Sequence, residues 1–394
     1  MTAHSATPLP DRARRPTRQV HVGSVALGGG APVVLQSMTS TPTHDVDATV
    51  AQIHRLATAG CDVVRVAVPE ARDTAALPAI LRQSPIPVVA DVHFHYQRAL
   101  EAVDAGVHKI RLNPGNIQDR AQVVEVIGAC RSAGIPIRVG VNEGSIVERR
   151  DKALRYAEMQ KLASDPHRQM IALMIAKLEE TIGIFEAERF EDLVLAAKSP
   201  DPRVVIDVYR AMAERFDYPL HLGVTHAGPP ETGRIRSVTA LATLLAEGVG
   251  DTIRISYAAD PLEEVHDGKE LLCCLGLRAR TEPELIACPT CGRIEVDLLK
   301  LVAQVRARLA TIPVPLKVAV MGCVVNGPGE AEGADVAVFA GKGRGVICVR
   351  GEKVRTVAEA DILDALYEQA AALAEQVQRG QVELTTGPIQ IGPE

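Results

Sequence analysis

Three cysteines and one glutamate in the last third of the chain carry its densest chemistry. Cys288-Pro-Thr-Cys291 is a chelating knuckle, and Cys323 follows at the end of a β-branched run. Next comes Val324-Val325-Asn326-Gly327-Pro328-Gly329-Glu330, whose Gly-Pro-Gly turn can bring Glu330 back beside Cys323. CPTCG reads as half of a zinc ribbon, but no second C-x2-C pair appears and no histidine accompanies Cys323. Three thiolates also suit an iron–sulfur cluster with one non-cysteine corner, and a carboxylate is a harder, weaker ligand to iron than a thiolate. Spacing alone leaves zinc and iron–sulfur open, with iron–sulfur ahead. The other cysteines, Cys61, Cys130, Cys273, Cys274 and Cys348, read as buried small hydrophobes, the usage of a reducing cytoplasm.

A second group of residues is cationic. Short β-branched runs in the first two thirds of the chain end in polar side chains of one parity. These are Gln36 and Ser37, Arg65, Asp91 with His93, Arg111 with Asn113, Arg138 with Asn142, Lys198, Thr225 and His226, and Arg254 with Ser256. Five of them are basic where a neutral barrel would carry Val or Ile. Such convergence is unfavourable unless an anion offsets the desolvation. The planar fork of arginine suits phosphate oxygens, and clustered arginines suit a diphosphate. Each arginine taken singly is equally well explained by pairing with a carboxylate such as Asp91. Taken together they outnumber the acidic strand-end residues. The Asn113-Pro-Gly-Asn116 turn adds backbone N–H groups that can face a phosphate.

The elements that position these groups follow a regular alternation. Eight β-branched runs, Val33–Ser37, Asp62–Ala67, Val88–Val92, Lys109–Leu112, Ile137–Val141, Asp192–Ala197, Leu220–Val224 and Thr252–Ser256, are separated by helix-forming stretches. AGCDVVRVAV, AGVHKIRL, AGIPIRVGV and EGVGDTIRIS repeat one device, a helix ending at Gly before the chain re-enters a sheet. The expected fold is α/β: an N-terminal TIM (β/α)8 barrel over 19–276, followed by a smaller α+β domain over 277–380. A doubly wound open sheet is the alternative. The interval between Val141 and Asp192 reads as two helices, and Gly276–Ala287 as a linker. After the knuckle come a helix to about Leu309, strands at Leu316–Val320, Val336–Phe339 and Val346–Val349, and a helix from about Val357 to Val377. Residues 1–18 read as a flexible basic tail and 381–394 as a second flexible end.

Composition narrows the partners. A net charge of −6 with no Trp, five Phe and six Tyr argues against a nucleic-acid binder. No apolar window is long enough to span a membrane, and the first residues hold no secretory apolar region.

The motifs together resemble a known family. LQSMTSTPTHDVDAT, ADVHF, KIRLNPGNI, IRVGVNEGS, EGVGDTIRIS, ACPTCGR and MGCVVNGPGE, from about Val20 to Val377, resemble the 4-hydroxy-3-methylbut-2-enyl diphosphate synthases, iron–sulfur reductive dehydroxylases of the non-mevalonate isoprenoid pathway. The resemblance implies a 4Fe-4S cluster on Cys288, Cys291, Cys323 and Glu330, and Glu330, His226, Asp91 and Asn326 as catalytic residues. It implies that 2-C-methyl-D-erythritol 2,4-cyclodiphosphate is held by Arg65, Arg111, Arg138, Lys198, Arg254 and Ser256, with Asp91, Asn113 and Asn142 nearby. It further implies a cytoplasmic homodimer, in which one subunit's cluster domain serves the other's barrel, and electrons from flavodoxin or ferredoxin. The chain departs from the family where HLGVTHAG has His226 in place of the usual glutamate, a candidate proton donor, followed by Glu231. Histidine can also deliver a proton near neutral pH. A smaller departure is His95, where many relatives carry Asp.

Overall fold

Aspartates mark where many of the helices begin. Asp45, Asp119, Asp165, Asp201, Asp260 and Asp297 each accept a first-turn backbone N–H on a side-chain oxygen. That bond satisfies a donor which a helix start leaves without a partner. Pro166, Pro202 and Pro261 follow three of these caps, at a position where the missing N–H is harmless. The structure, a computed structural model, describes residues 14–92, 95–112, 119–143, 146, 165–323, 327–331 and 333–384. The chain divides into two compact units between Arg278 and Ala279.

The first unit opens with a hairpin of β1 (Gln19–Val22) and β2 (Val25–Gly28). Eight parallel strands follow: β3 (Val34–Met38), β4 (Val63–Ala67), β5 (Val88–Val92), β6 (Lys109–Leu112), β7 (Ile137–Asn142), β8 (Leu193–Lys198), β9 (His221–Leu222) and β10 (Thr252–Ile253). A helix follows each one, from Val46–Thr58 after β3 to Pro261–Cys274 after β10. The strand order is β8-β7-β6-β5-β4-β3-β10-β9, and a parallel bridge between Leu195 and Leu220 brings the two ends together. This is the expected TIM barrel, nearly closed.

Alternation along the strands divides its interior from its shell. Leu35, Val64, Val66, Ile110, Val139 and Leu195 point outward into the apolar layer beneath the helices. Val34, Val63, Val89 and Val194 point inward and meet Val20, Val22 and Leu27 of the hairpin. The hairpin therefore seals the end where the strands begin. Gln19 to Gly28 was not expected as a hairpin, although its alternation is visible in QVHVGSVALG. The segment expected as a solvated tail is anchored in its described part. Arg14 pairs with Asp251 at 3.1 Å, Arg15 donates to the Tyr218 carbonyl at 2.6 Å, and Arg18 pairs with Asp217 at 2.9 Å. Of the two helices expected between Val141 and Asp192, the described residues hold Pro166–Ala187; residues 147–164 lie outside them.

The second unit is a five-stranded mixed sheet in the order β11-β12-β13-β14-β15. β11 (Glu284–Ala287), β12 (Lys317–Met321) and β13 (Val336–Gly341) are parallel; β14 (Arg344–Val349) and β15 (Glu352–Ala358) continue antiparallel. Val305 and Leu309 of helix Leu298–Leu309 and Leu366 and Leu373 of helix Ile362–Gln378 bury one face of the sheet. Two boundaries differ from expectation. The stretch expected as a linker ends in β11, whose apolar run Leu285-Ile286 is too short to be told from coil. The last helix starts at Ile362, because the preceding residues form β15. That edge strand exposes Glu352, Lys353 and Arg355, charges that hide its alternation and discourage pairing with another chain.

Candidate active site

Inside the barrel the inward parity places charges next to charges. Register pairs Asp91 with Arg111, Arg111 with Arg138, and Asn142 with Lys198 on successive strands. Asp91, only 2% exposed, accepts Arg111 Nη1 at 2.9 Å and faces Arg65 Nε at 3.4 Å. Arg65 also donates to Met38 Sδ at 2.9 Å. Arg254 pairs with Glu264 at 3.4 Å, and Glu264 accepts the Tyr257 N–H at 3.0 Å. Arg138 is buried with Nε and Nη1 lacking partners among the described residues, and Arg254 Nε is in the same position. Ser256 donates to the Val224 carbonyl at 3.1 Å.

One further cation escaped expectation. Lys109 lies on the same parity as Arg111 but at the start of β6, below the strand ends where barrel chemistry collects; its parity was the available signal. It donates to Gln36 Oε1 at 3.2 Å. Six buried or half-buried cations, Arg65, Lys109, Arg111, Arg138, Lys198 and Arg254, thus share the interior with two buried carboxylates, Asp91 and Glu264. Burial first, and then repulsion from neighbouring cations, weakens the hold of Lys109, Arg138 and Lys198 on their protons, and at Arg65 burial outweighs the pull of Asp91. The Lys109 ammonium is pushed down to about 7 and the Arg65 guanidinium to about 10, while Arg138 and Lys198 are held well below their ordinary values. An anion with several oxygens relieves this arrangement. Gly223 packs closely against Arg254 and Lys198. A Cβ there would lie 3.0 Å from the Arg254 carbonyl and 3.3 Å from Lys198 Nζ.

His226 follows β9 on an exposed loop with φ of 52°, left-handed backbone that non-glycine residues seldom adopt. Glu231 is exposed in the first turn of helix Pro230–Ala246. His93, Asn113 and Asn326 lie outside the described residues.

The thiols gather at the carboxyl ends of two adjacent strands of the second unit. Ala287 and Val320 are register partners, so Cys288 leaves β11 near where Cys323 follows β12. The Gly322 N–H donates to Cys288 Sγ at 3.3 Å. The Arg293 backbone N–H and then its guanidinium hold the Cys291 thiol below its ordinary value, and the charges of Cys323 and Glu330 also reach Arg293. Lowered thiols favour the thiolates that metals bind. Glu330 ends the single helical turn Gly327–Glu330. A Cβ on Gly327 would come within 2.7 Å of Phe339 Cδ1, so only glycine lets this turn lie against β13. The donor set is that of a soft-metal site with one hard corner. Among the described residues no three His, Cys, Asp or Glu side chains are already arranged to hold a metal ion.

The remaining cysteines divide. Cys61 and Cys130 are buried, and burial pushes their thiols up to about 12. Cys273 and Cys348 are only half-buried, and Cys274 is exposed beside Glu270 at 3.2 Å, contrary to the expectation of burial. Cys274 lies in the last turn of its helix, where one face meets solvent. No helix among the described residues is long and apolar enough to cross a membrane.

Comparison with known proteins adds names to this geometry. The GcpE TIM-barrel domain matches residues 17–269, and the GcpE protein C-terminal domain matches residues 284–372. A 4-hydroxy-3-methylbut-2-en-1-yl diphosphate synthase (flavodoxin) from Salinispora tropica is 50% identical over 94% of this chain and 92% of its own. Proteins of the same name from Corynebacterium diphtheriae and Frankia casuarinae are 49% and 50% identical, over 93% and 92% of this chain and 91% and 92% of theirs.

Proposed function

The chain belongs to the GcpE family, and on that premise we propose that it opens and reductively dehydroxylates 2-C-methyl-D-erythritol 2,4-cyclodiphosphate to 4-hydroxy-3-methylbut-2-enyl diphosphate in isoprenoid biosynthesis. The observation that carries this reading is the excess of buried cations over carboxylates inside the barrel. Arg65, Arg111, Arg138, Lys198 and Arg254 bind the diphosphate oxygens. Ser256 holds the diphosphate with them, Asp91 keeps Arg65 and Arg111 oriented, and Asn113 and Asn142 also bind the substrate. His226 supplies a proton to the departing hydroxyl from its exposed loop, and Asn326 is a further catalytic residue.

Cys288, Cys291, Cys323 and Glu330 hold a 4Fe-4S cluster, and the lowered thiol of Cys291 supports that assignment. When bound, the cluster supplies electrons one at a time and a Lewis-acidic iron at the carboxylate corner. Counted on the fully protonated acids, the reaction consumes two electrons and two protons and releases one water. Flavodoxin or ferredoxin provides the electrons. The enzyme works in the reducing cytoplasm as a homodimer.

An anaerobic assay with the cyclodiphosphate and reduced flavodoxin tests the proposal. Formation of the linear diphosphate, lost on Cys323→Ala, is the expected result. A colourless, zinc-loaded protein without turnover would instead favour a zinc-stabilised barrel enzyme acting on a phosphorylated sugar.

A further inference from the structure

The cationic interior extends below the groups assigned to the diphosphate. Lys109 is 1% exposed, one alternation beneath Arg111 on β6, and its sole hydrogen-bond partner among the described residues is the neutral Gln36 amide. Around it stand Gln36 from β3, Arg65 from β4, Val89 from β5, Arg138 from β7 and His221 from β9. Asp91 engages Arg65 and Arg111, and Glu264 engages Arg254, so neither carboxylate pairs with Lys109. His221 is fully buried and, like Lys109, is kept from protonation first by burial and then by the surrounding cations. Gln36 Nε2, His221 Nε2 and two nitrogens of Arg138 lack partners among the described residues. This layer is polar, buried and short of negative charge.

We propose that Lys109 is a titrating counter-charge beneath the diphosphate: an uncharged amine when no anion lies above it, and an ammonium once a diphosphate binds. It rests on the reading of the barrel mouth as a diphosphate site. A fixed guanidinium at this position would add to the repulsion among Arg65, Arg111 and Arg138 before the anion arrives. A lysine avoids that penalty, because buried amines change protonation readily. The proton comes from solvent and its buffer, which lose what Lys109 gains, and no other bond forms or breaks. Burial already brings Lys109 down to about 7. An anion above it raises its affinity for the proton. Uptake is therefore expected above about pH 7 and disappears at lower pH, where the amine is already charged. Ring opening also frees a terminal phosphate with one more ionisable oxygen, so the charged lysine suits the product as well.

Calorimetric titration of the holoenzyme with inorganic diphosphate, in buffers of different ionisation enthalpy, counts the protons taken up. At pH 8 the wild-type protein is expected to take up most of one proton more than Lys109→Met. At pH 6 the difference is expected to vanish. Lys109→Arg, which keeps a fixed charge and the stem's packing, is expected to lose the same uptake. Equal uptake at pH 8 in wild type and either folded variant would overturn the proposal while leaving the diphosphate site intact. Absence of binding by both inorganic diphosphate and the cyclodiphosphate would overturn the site itself, and this inference with it.

Discussion

Asp91 has an unusual position among the residues of the barrel, since it is the carboxylate shared by two buried arginines. Asp91→Asn leaves that charge uncompensated and is expected to destabilise the protein by about 3–5 kcal/mol. Added diphosphate should restore most of the loss, and thermal melting with and without it measures both effects. Lys198 acts in the opposite sense. If Lys198 binds the diphosphate as proposed, Lys198→Ala removes a bond to phosphate oxygen, and charged hydrogen bonds contribute roughly 1.5–3 kcal/mol each. Affinity for the cyclodiphosphate should fall accordingly with the iron content unchanged; unaltered binding would place the anion elsewhere. If His226 is the proton donor proposed above, His226→Gln is expected to lower kcat by about 10²–10⁴-fold at nearly constant KM. A wild-type rate would remove His226 from the chemistry.

At the level of elements, two glycines decide where side chains can go. Gly223 stands between the Arg254 carbonyl and Lys198 Nζ. Gly223→Ala should therefore cost about 1–3 kcal/mol of stability through overpacking and also weaken diphosphate binding. Gly327 lets the turn carrying Glu330 approach β13. If Glu330 is the fourth ligand, Glu330→Ala leaves a cluster on three thiolates and abolishes turnover. Cys61→Ala and Cys348→Ala should keep their iron. Iron lost with Cys348 but not affected by Glu330 would reverse the ligand assignment. β15 and the hairpin β1–β2 were hidden at this scale, the first by charges on an exposed edge and the second by strands of only four residues.

Over the whole molecule, the buried cations make stability depend on pH. The Lys109 ammonium is lowered to about 7 from an ordinary 10.5, so between these values the unfolded chain holds a proton that the folded chain does not. Stability contributed through this residue therefore rises with pH across that window. Unfolding of wild type against Lys109→Met at pH 6 and pH 10 measures it: the variant's advantage should be larger at pH 6. The proposed homodimer has its own test. Mixing inactive Cys323→Ala with inactive Arg111→Leu should restore activity if each subunit's thiolates serve its partner's barrel. No recovery after subunit exchange would leave only sites completed within one chain.

Sequence alone determined the repeating strand and helix units, because a glycine stop, a short β-branched run and an aspartate cap are local devices. It also pointed to an anionic ligand, because five cations on one parity need nothing but alternation to converge, and the motif phrases identified the family. Tertiary structure decided what depends on depth and on distant partners. Lys109 joins the cations because barrel closure buries the start of β6 as well as its end. Asp91 is shared by Arg65 and Arg111 because strands β4, β5 and β6 pair in one register. Arg14, Arg15 and Arg18 are tied to the barrel because carbonyls and carboxylates more than 190 residues away fold into their reach. Such contacts are set by which strands become neighbours, and no local pattern in the chain encodes them.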